Sequence, residues 1–133
     1  MRNLALVIAA GAALVAGTGL QARERLTGEE KLAKALEGRV AGEPVDCISL
    51  TSSRDTQVID NTAIIYGSGR TIYVNRPAHP SSLDSDDVMV VNIHGSQLCK
   101  LDVVRMHDRG GGFYTGFVGL EQFVPYRRVA SRD

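Results

Sequence analysis

The sequence predicts a small, mainly β domain: an antiparallel sandwich or partly closed barrel with one N-terminal amphipathic helix. Three observations predict it. Apolar residues recur at helical spacing in one early segment and at strand spacing from Val45 onward. Glycine-bearing turn segments cut the later sequence into short runs. Two cysteines, Cys47 and Cys99, stand about 50 residues apart in apolar, strand-like settings.

The N-terminus comes first. Arg2 precedes an apolar run from Leu4 to Ala16, and small residues follow up to Ala22. That is the layout of a secretory signal peptide over residues 1–22, with cleavage expected after Ala22. The rival reading is a retained membrane anchor. Its apolar stretch reaches about 17 residues only by including Gly17, Thr18 and Gly19, short of the roughly 20 that a helical span needs. A periplasmic or secreted protein is therefore expected, with no stable membrane span after cleavage. Beyond residue 22 there are fourteen basic and fifteen acidic residues, a net charge of −1. No basic stripe marks a nucleic-acid partner, and Arg127, Arg128 and Arg132 alone are too few to argue from.

In an exported chain the two cysteines are expected to pair. Neither has the flanking lysine or histidine cation that would activate a thiol. Closing a loop of about 50 residues is worth ~4 kcal/mol on chain-entropy grounds, a large share of what a domain this small can hold.

"LTGEEKLAKALEG" is the helix. Thr27 and Glu30 form a capping box, Leu32, Ala35 and Leu36 make the apolar stripe, and Gly38 suits the stop. "RVAGEP" reads as a connector, so residues 23–44 are expected as helix plus connector ahead of a β domain over 45–126. "VDCISL" is extended. An Asp60–Asn61 turn then leads into a hairpin with arms Ala63–Tyr66 and Thr71–Asn75 around Gly67–Arg70, with Ile64 and Tyr66 opposed by Ile72 and Val74. "RPAHPSSLDSDD" reads as a surface loop, and "DVMVVNI", apolar on both faces, as a central strand.

"SQLCKLDVVRMHD" reads as one strand whose apolar phase slips after Val103, as at a β-bulge or a bend. A glycine-rich turn follows. The last segment holds Phe113, Tyr114, Phe117, Phe123 and Tyr126, expected to supply much of the core, with residues 127–133 a tail.

The segments "VDCISL", "TQVIDNTAIIY", "YVNRP", "SQLCKLDVVRMHD" and "GFVGLEQFVPY", in that order, resemble a family of small exported proteobacterial proteins of unknown function. The resemblance spans roughly residues 30 to 126 and implies no activity or catalytic residue. Two positions depart from the family pattern: Leu120–Glu121 stands in place of a Leu-Gly pair, and His107 in place of an aliphatic residue.

The chemistry-bearing residues are sparse. His79, His94 and His107 lie 15 and 13 residues apart, without the close ligand pair that signals a zinc site. Ser96 with His94 or His107 and Asp102 or Asp108 could in principle form a nucleophile set, but no nucleophile-elbow motif supports it. "DSDD" at 84–87 lacks the EF-hand frame, and "GSGRT" at 67–71 lacks the phosphate-loop frame. Asp60 and Asp102 are expected to accept backbone N–H groups in turns. No cofactor or metal is expected.

The leading reading is thus a non-catalytic binding or structural module whose partner is a small ligand or an envelope protein. The alternative is a small metal protein or hydrolase using His94, His107, Asp102 and Asp108. A third reading uses the aromatic C-terminal segment for a peptide or lipid, and requires Phe113, Phe117 and Phe123 to share an exposed patch.

Overall fold

The computed structural model describes residues 25–130; the expected signal segment 1–22 and residues 131–133 lie outside them. Helix α1 (Gly28–Ala35) starts as the capping box predicts: Thr27 Oγ1 accepts the Glu30 N–H, and the Glu30 carboxylate accepts the Thr27 N–H at 2.7 Å. It stops at Leu36, and Gly38 follows with φ +72°, a conformation glycine adopts without Cβ strain. Eight residues cannot hold a helix alone. Leu32, 1 % exposed, docks it on the sheet beneath, and a two-pronged contact from Arg76 to Glu29 pins its first turn.

Ten strands follow: β1 (Arg39–Ala41), β2 (Cys47–Ser49), β3 (Thr56–Ile59), β4 (Ala63–Tyr66), β5 (Thr71–Asn75), β6 (Val88–Val91), β7 (Gln97–Cys99), β8 (Val103–His107), β9 (Tyr114–Gly119) and β10 (Phe123–Arg128). They form three antiparallel sheets, ordered β1-β10-β5-β4-β3, β2-β7 and β6-β8-β9. No sheet closes into a barrel, so of the two expected architectures the sandwich holds.

The five-stranded sheet is the middle layer. One face carries Ile65, Ile72 and Val74 and is covered by α1. The other carries Ile64, Tyr66 and Phe123 and packs on Ile48, Leu98, Val104, Met106, Val118 and Leu120 from the two smaller sheets and the β9–β10 connection. All four residues of β4 are buried as a result. Cys47 and Cys99 stand directly opposite each other in the β2–β7 pair and are bonded.

Several expectations are corrected by pairing across the sequence. Residues 39–41 are a strand on the edge of the middle sheet, because β10 offers Tyr126–Arg128 as partners. For the same reason β10 runs through Arg128, past the expected boundary at 126. The hairpin arms are as predicted, but Ile65 lies opposite Val74 and Tyr66 opposite Tyr73, so Ile64 and Tyr66 face away from Ile72 and Val74. The 76–87 segment includes a 3-10 turn at Pro80–Ser82 and buries Leu83. β6 lies at an edge rather than a centre, with Val88 and Val90 each 41 % exposed; the doubly buried central strand is β4. The run from Ser96 to Asp108 is two strands, β7 and β8, separated by a turn at Lys100–Asp102. Phe123 is fully buried, whereas Phe113, Tyr114 and Phe117 are exposed.

Candidate functional site

The turn between β7 and β8 shapes the most distinctive surface. Asp102 Oδ2 accepts the Cys99 N–H at 2.8 Å, as expected of an aspartate in a turn. Leu101 donates its N–H to Leu120 O at 2.8 Å, and Leu120 returns an N–H to Asp102 O at 2.9 Å. On the other side Lys100 N–H reaches Asp46 O at 2.7 Å, next to the disulfide. The Asp46 carboxyl is held below its usual range by the Gln122 amide and, secondarily, by the Lys100 ammonium.

These bonds fix Leu101 at φ +73° with 78 % of its surface exposed. The left-handed region costs a residue with a Cβ about 1–2 kcal/mol. A branched apolar side chain is thus held outward at a position where glycine would be easier.

Leu101 borders an open groove of about 580 Å³ with Phe117, Leu120, Ser82, His79 and Glu121 among its walls. Phe117 is 57 % exposed. Ser81 and Ser82, from the Pro80–Ser82 turn, also line the groove, and the turn lies directly against β9: a Cβ on Gly116 would fall 2.5 Å from Ser82 Oγ. The groove's polar end is set from the core. Fully buried Asn75 donates its amide to Glu121 O at 2.7 Å and accepts the Glu121 N–H at 3.1 Å. His79, expected in a solvated loop, is exposed at the rim.

The sequence-derived residues divide into two places. His94 and Asp102 line a depression of about 200 Å³ together with Arg105 and Asn92. Its aspartate already accepts the Cys99 N–H. His107 and Asp108 lie at the far end of β8, about 17–20 Å along the strand from Asp102. There His107 Nδ1 meets Gly112 O at 3.2 Å and its ring packs edge-on to Tyr114. Asp108 Oδ2 accepts the Gly111 N–H at 2.7 Å, closing the glycine turn. The four residues do not converge. Ser96 contributes its carbonyl to the Leu50 N–H.

Other acids are also engaged, Asp84 within its own turn and Asp60 and Asp87 with residues distant in sequence. Asp60 Oδ1 accepts the Ser85 N–H at 2.6 Å, Asp84 Oδ1 accepts the Asp86 N–H, and Asp87 takes the Thr115 hydroxyl. Among the described residues, no three His, Cys, Asp or Glu side chains are placed to share a metal ion, and no helix is long and apolar enough to cross a membrane.

Sequence reading missed the groove. Its walls come from segments near 80, 101 and 117, and the one local cue was a leucine between two charged residues in "CKLDV". Comparison with family models, curated proteins and solved structures finds no match.

Proposed function

We propose that this is an exported, non-catalytic binding module whose groove takes up an apolar stretch of a partner polypeptide in the cell envelope. The observation that carries the reading is Leu101, exposed and held in a backbone conformation unfavourable for leucine beside the groove's exposed Phe117. Strain maintained by surrounding bonds is characteristic of binding sites, and clustered exposed apolar side chains mark interaction surfaces. The hydroxyls of Ser81 and Ser82 and the Glu121 carboxylate at the rim suit the amide groups of a peptide.

Export is supported by the signal-like N-terminus and by the paired cysteines. The separation of His94 and Asp102 from His107 and Asp108 favours binding over hydrolysis. Of the three phenylalanines that the aromatic-patch reading requires to be exposed together, Phe113 and Phe117 are exposed and Phe123 is not, and the groove's exposed apolar surface comes from Phe117 and Leu101.

The test is an NMR titration of the protein with an acetylated, amidated peptide rich in valine and phenylalanine. Shifts are expected at Leu101, at Val118–Glu121 and around Ser81–Ser82. Leu101→Gly should raise stability by about 1 kcal/mol through relief of backbone strain and weaken the peptide at least about tenfold, since a buried leucine is worth ~1.5–3 kcal/mol. Peptide binding that is absent, or unchanged by Leu101→Gly, would sink the reading.

A further inference from the structure

Arginines remote in sequence meet at one end of the middle sheet. Arg39 on β1 lies directly opposite Arg128 on β10. In the β10–β5 pair Arg127 faces Thr71, so the next position places Arg128 beside Arg70, and the Arg128 N–H donates to Arg70 O at 2.9 Å. Directly opposed residues project from the same face of a sheet. Arg39 and Arg128 thus share a face on neighbouring strands about 4.8 Å apart, and Arg70, in the bend just before β5, adjoins both through its carbonyl. Lys34, on the last turn of α1, joins Arg39 and Arg128 in the wall of a depression of about 440 Å³.

The cluster is electrostatically costly as it stands. Like charges directly opposite in a sheet destabilise the pair. Partial burial first, and the Arg128 charge second, push the Arg39 pKa down. Among the described residues none of the four cations has a carboxylate within ion-pair distance; the two ion pairs present use Arg76 and Lys100. Glu37 lines the same depression without closing on any of them.

The guanidinium groups divide their work. Arg39 donates to Gly69 O at 2.8 Å and to Arg70 O at 3.1 Å, which ties the hairpin turn to the sheet edge. The Arg70 and Arg128 side chains make no hydrogen bond within the described residues, and both residues are exposed. Their forks are open.

We infer that the Arg70–Arg128 pair, backed by Arg39 and Lys34, is a binding site for a phosphate group. Planar guanidinium forks match phosphate oxygens in two-pronged fashion, and a bound anion offsets the mutual repulsion of the arginines. The site lies on the helix-covered face of the middle sheet and is independent of the apolar groove, so either can fail without the other.

The experiment titrates the protein with pyrophosphate at low ionic strength by calorimetry, and in parallel measures its retention on vesicles of phosphatidylglycerol against phosphatidylcholine. The comparison protein carries Arg70→Gln and Arg128→Gln, which leave the Arg39 bonds to the turn in place. Wild-type protein is expected to bind at least one of the two phosphate sources. The double variant should bind at least about tenfold more weakly and should melt no earlier than wild type in the absence of anion. Pyrophosphate binding alone assigns the site to a soluble phosphate, and retention on phosphatidylglycerol alone assigns it to a lipid headgroup. Failure to bind either, binding that survives both substitutions, or an anion-free variant that melts earlier would overturn the assignment.

Discussion

Tyr66 shows how a single atom can sit uneasily in a good core. Its ring packs edge-on against Phe123 with centroids 5.7 Å apart, while its buried hydroxyl has no hydrogen-bond partner among the described residues. Burial raises its pKa well above the ordinary tyrosine value. A hydroxyl left unpaired costs about 1–3 kcal/mol in desolvation, so Tyr66→Phe is expected to keep or raise stability, by up to about 1 kcal/mol. The pH dependence has a definite sign. The unfolded phenol ionises near pH 10 while the folded one resists, so stability is intact below pH 10 and falls as pH rises beyond it. In Tyr66→Phe that alkaline decline should be shallower; denaturant melts between pH 8 and 11 measure it. An equally steep decline in both proteins would refute the assignment.

At the scale of elements, short pieces are made secure by what they touch. Strands β2 and β7 have three residues each and pair only with one another. A two-stranded ribbon of that length is marginal in water, yet Ile48 and Leu98 are both buried beneath the middle sheet. The Cys47–Cys99 bond, 52 residues apart in sequence, fastens the ribbon. Reduction, or paired replacement of both cysteines by alanine, should lower unfolding free energy by about 4 kcal/mol, read from denaturant midpoints with and without reductant. Because the ribbon also anchors the Lys100–Asp102 turn, loss of the bond should loosen Leu101 as well. Faster amide exchange at Leu101 and Leu120 on reduction would show it.

The whole molecule has three layers and two cores, and the second core is the smaller. One lies between the middle sheet and the two small sheets, the other beneath α1. Phe123 belongs to the first and is 0 % exposed; Phe117, six residues earlier, is 57 % exposed. Phe123→Ala should cost about 3–5 kcal/mol and Phe117→Ala less than about 0.5 kcal/mol, compared by thermal or chemical melts. Comparable losses at the two sites would mean that the division between core and proposed binding face is wrong. The basic cluster and the groove also belong to this scale, since each gathers residues from segments far apart in sequence.

Much of the local structure was legible in the sequence. The capping box of α1, the arms of the β4–β5 hairpin, the Asp60–Asn61 turn and the pairing of the two cysteines all follow from cues that act over a few residues or from the redox setting that a signal-like N-terminus leads one to expect. What could not be read was which strand neighbours which. Residues 88–91 are apolar enough for a central strand, but whether they become one depends on a second partner, and here they have β8 alone. The phase change after Val103 could be seen; its cause, a turn at Lys100–Asp102 held by Leu120 from the far end of the chain, could not. The same holds for the candidate sites. His94, His107, Asp102 and Asp108 are close in sequence but are split between the two ends of β8, whereas Arg39, Arg70 and Arg128 are distant and meet. The sequence by itself determined the elements and the covalent staple, because hydrogen-bonding turns, caps and side-chain period are short-range. Only the tertiary structure decided the faces, the edges and the sites, because long-range register determines which side chains are exposed together.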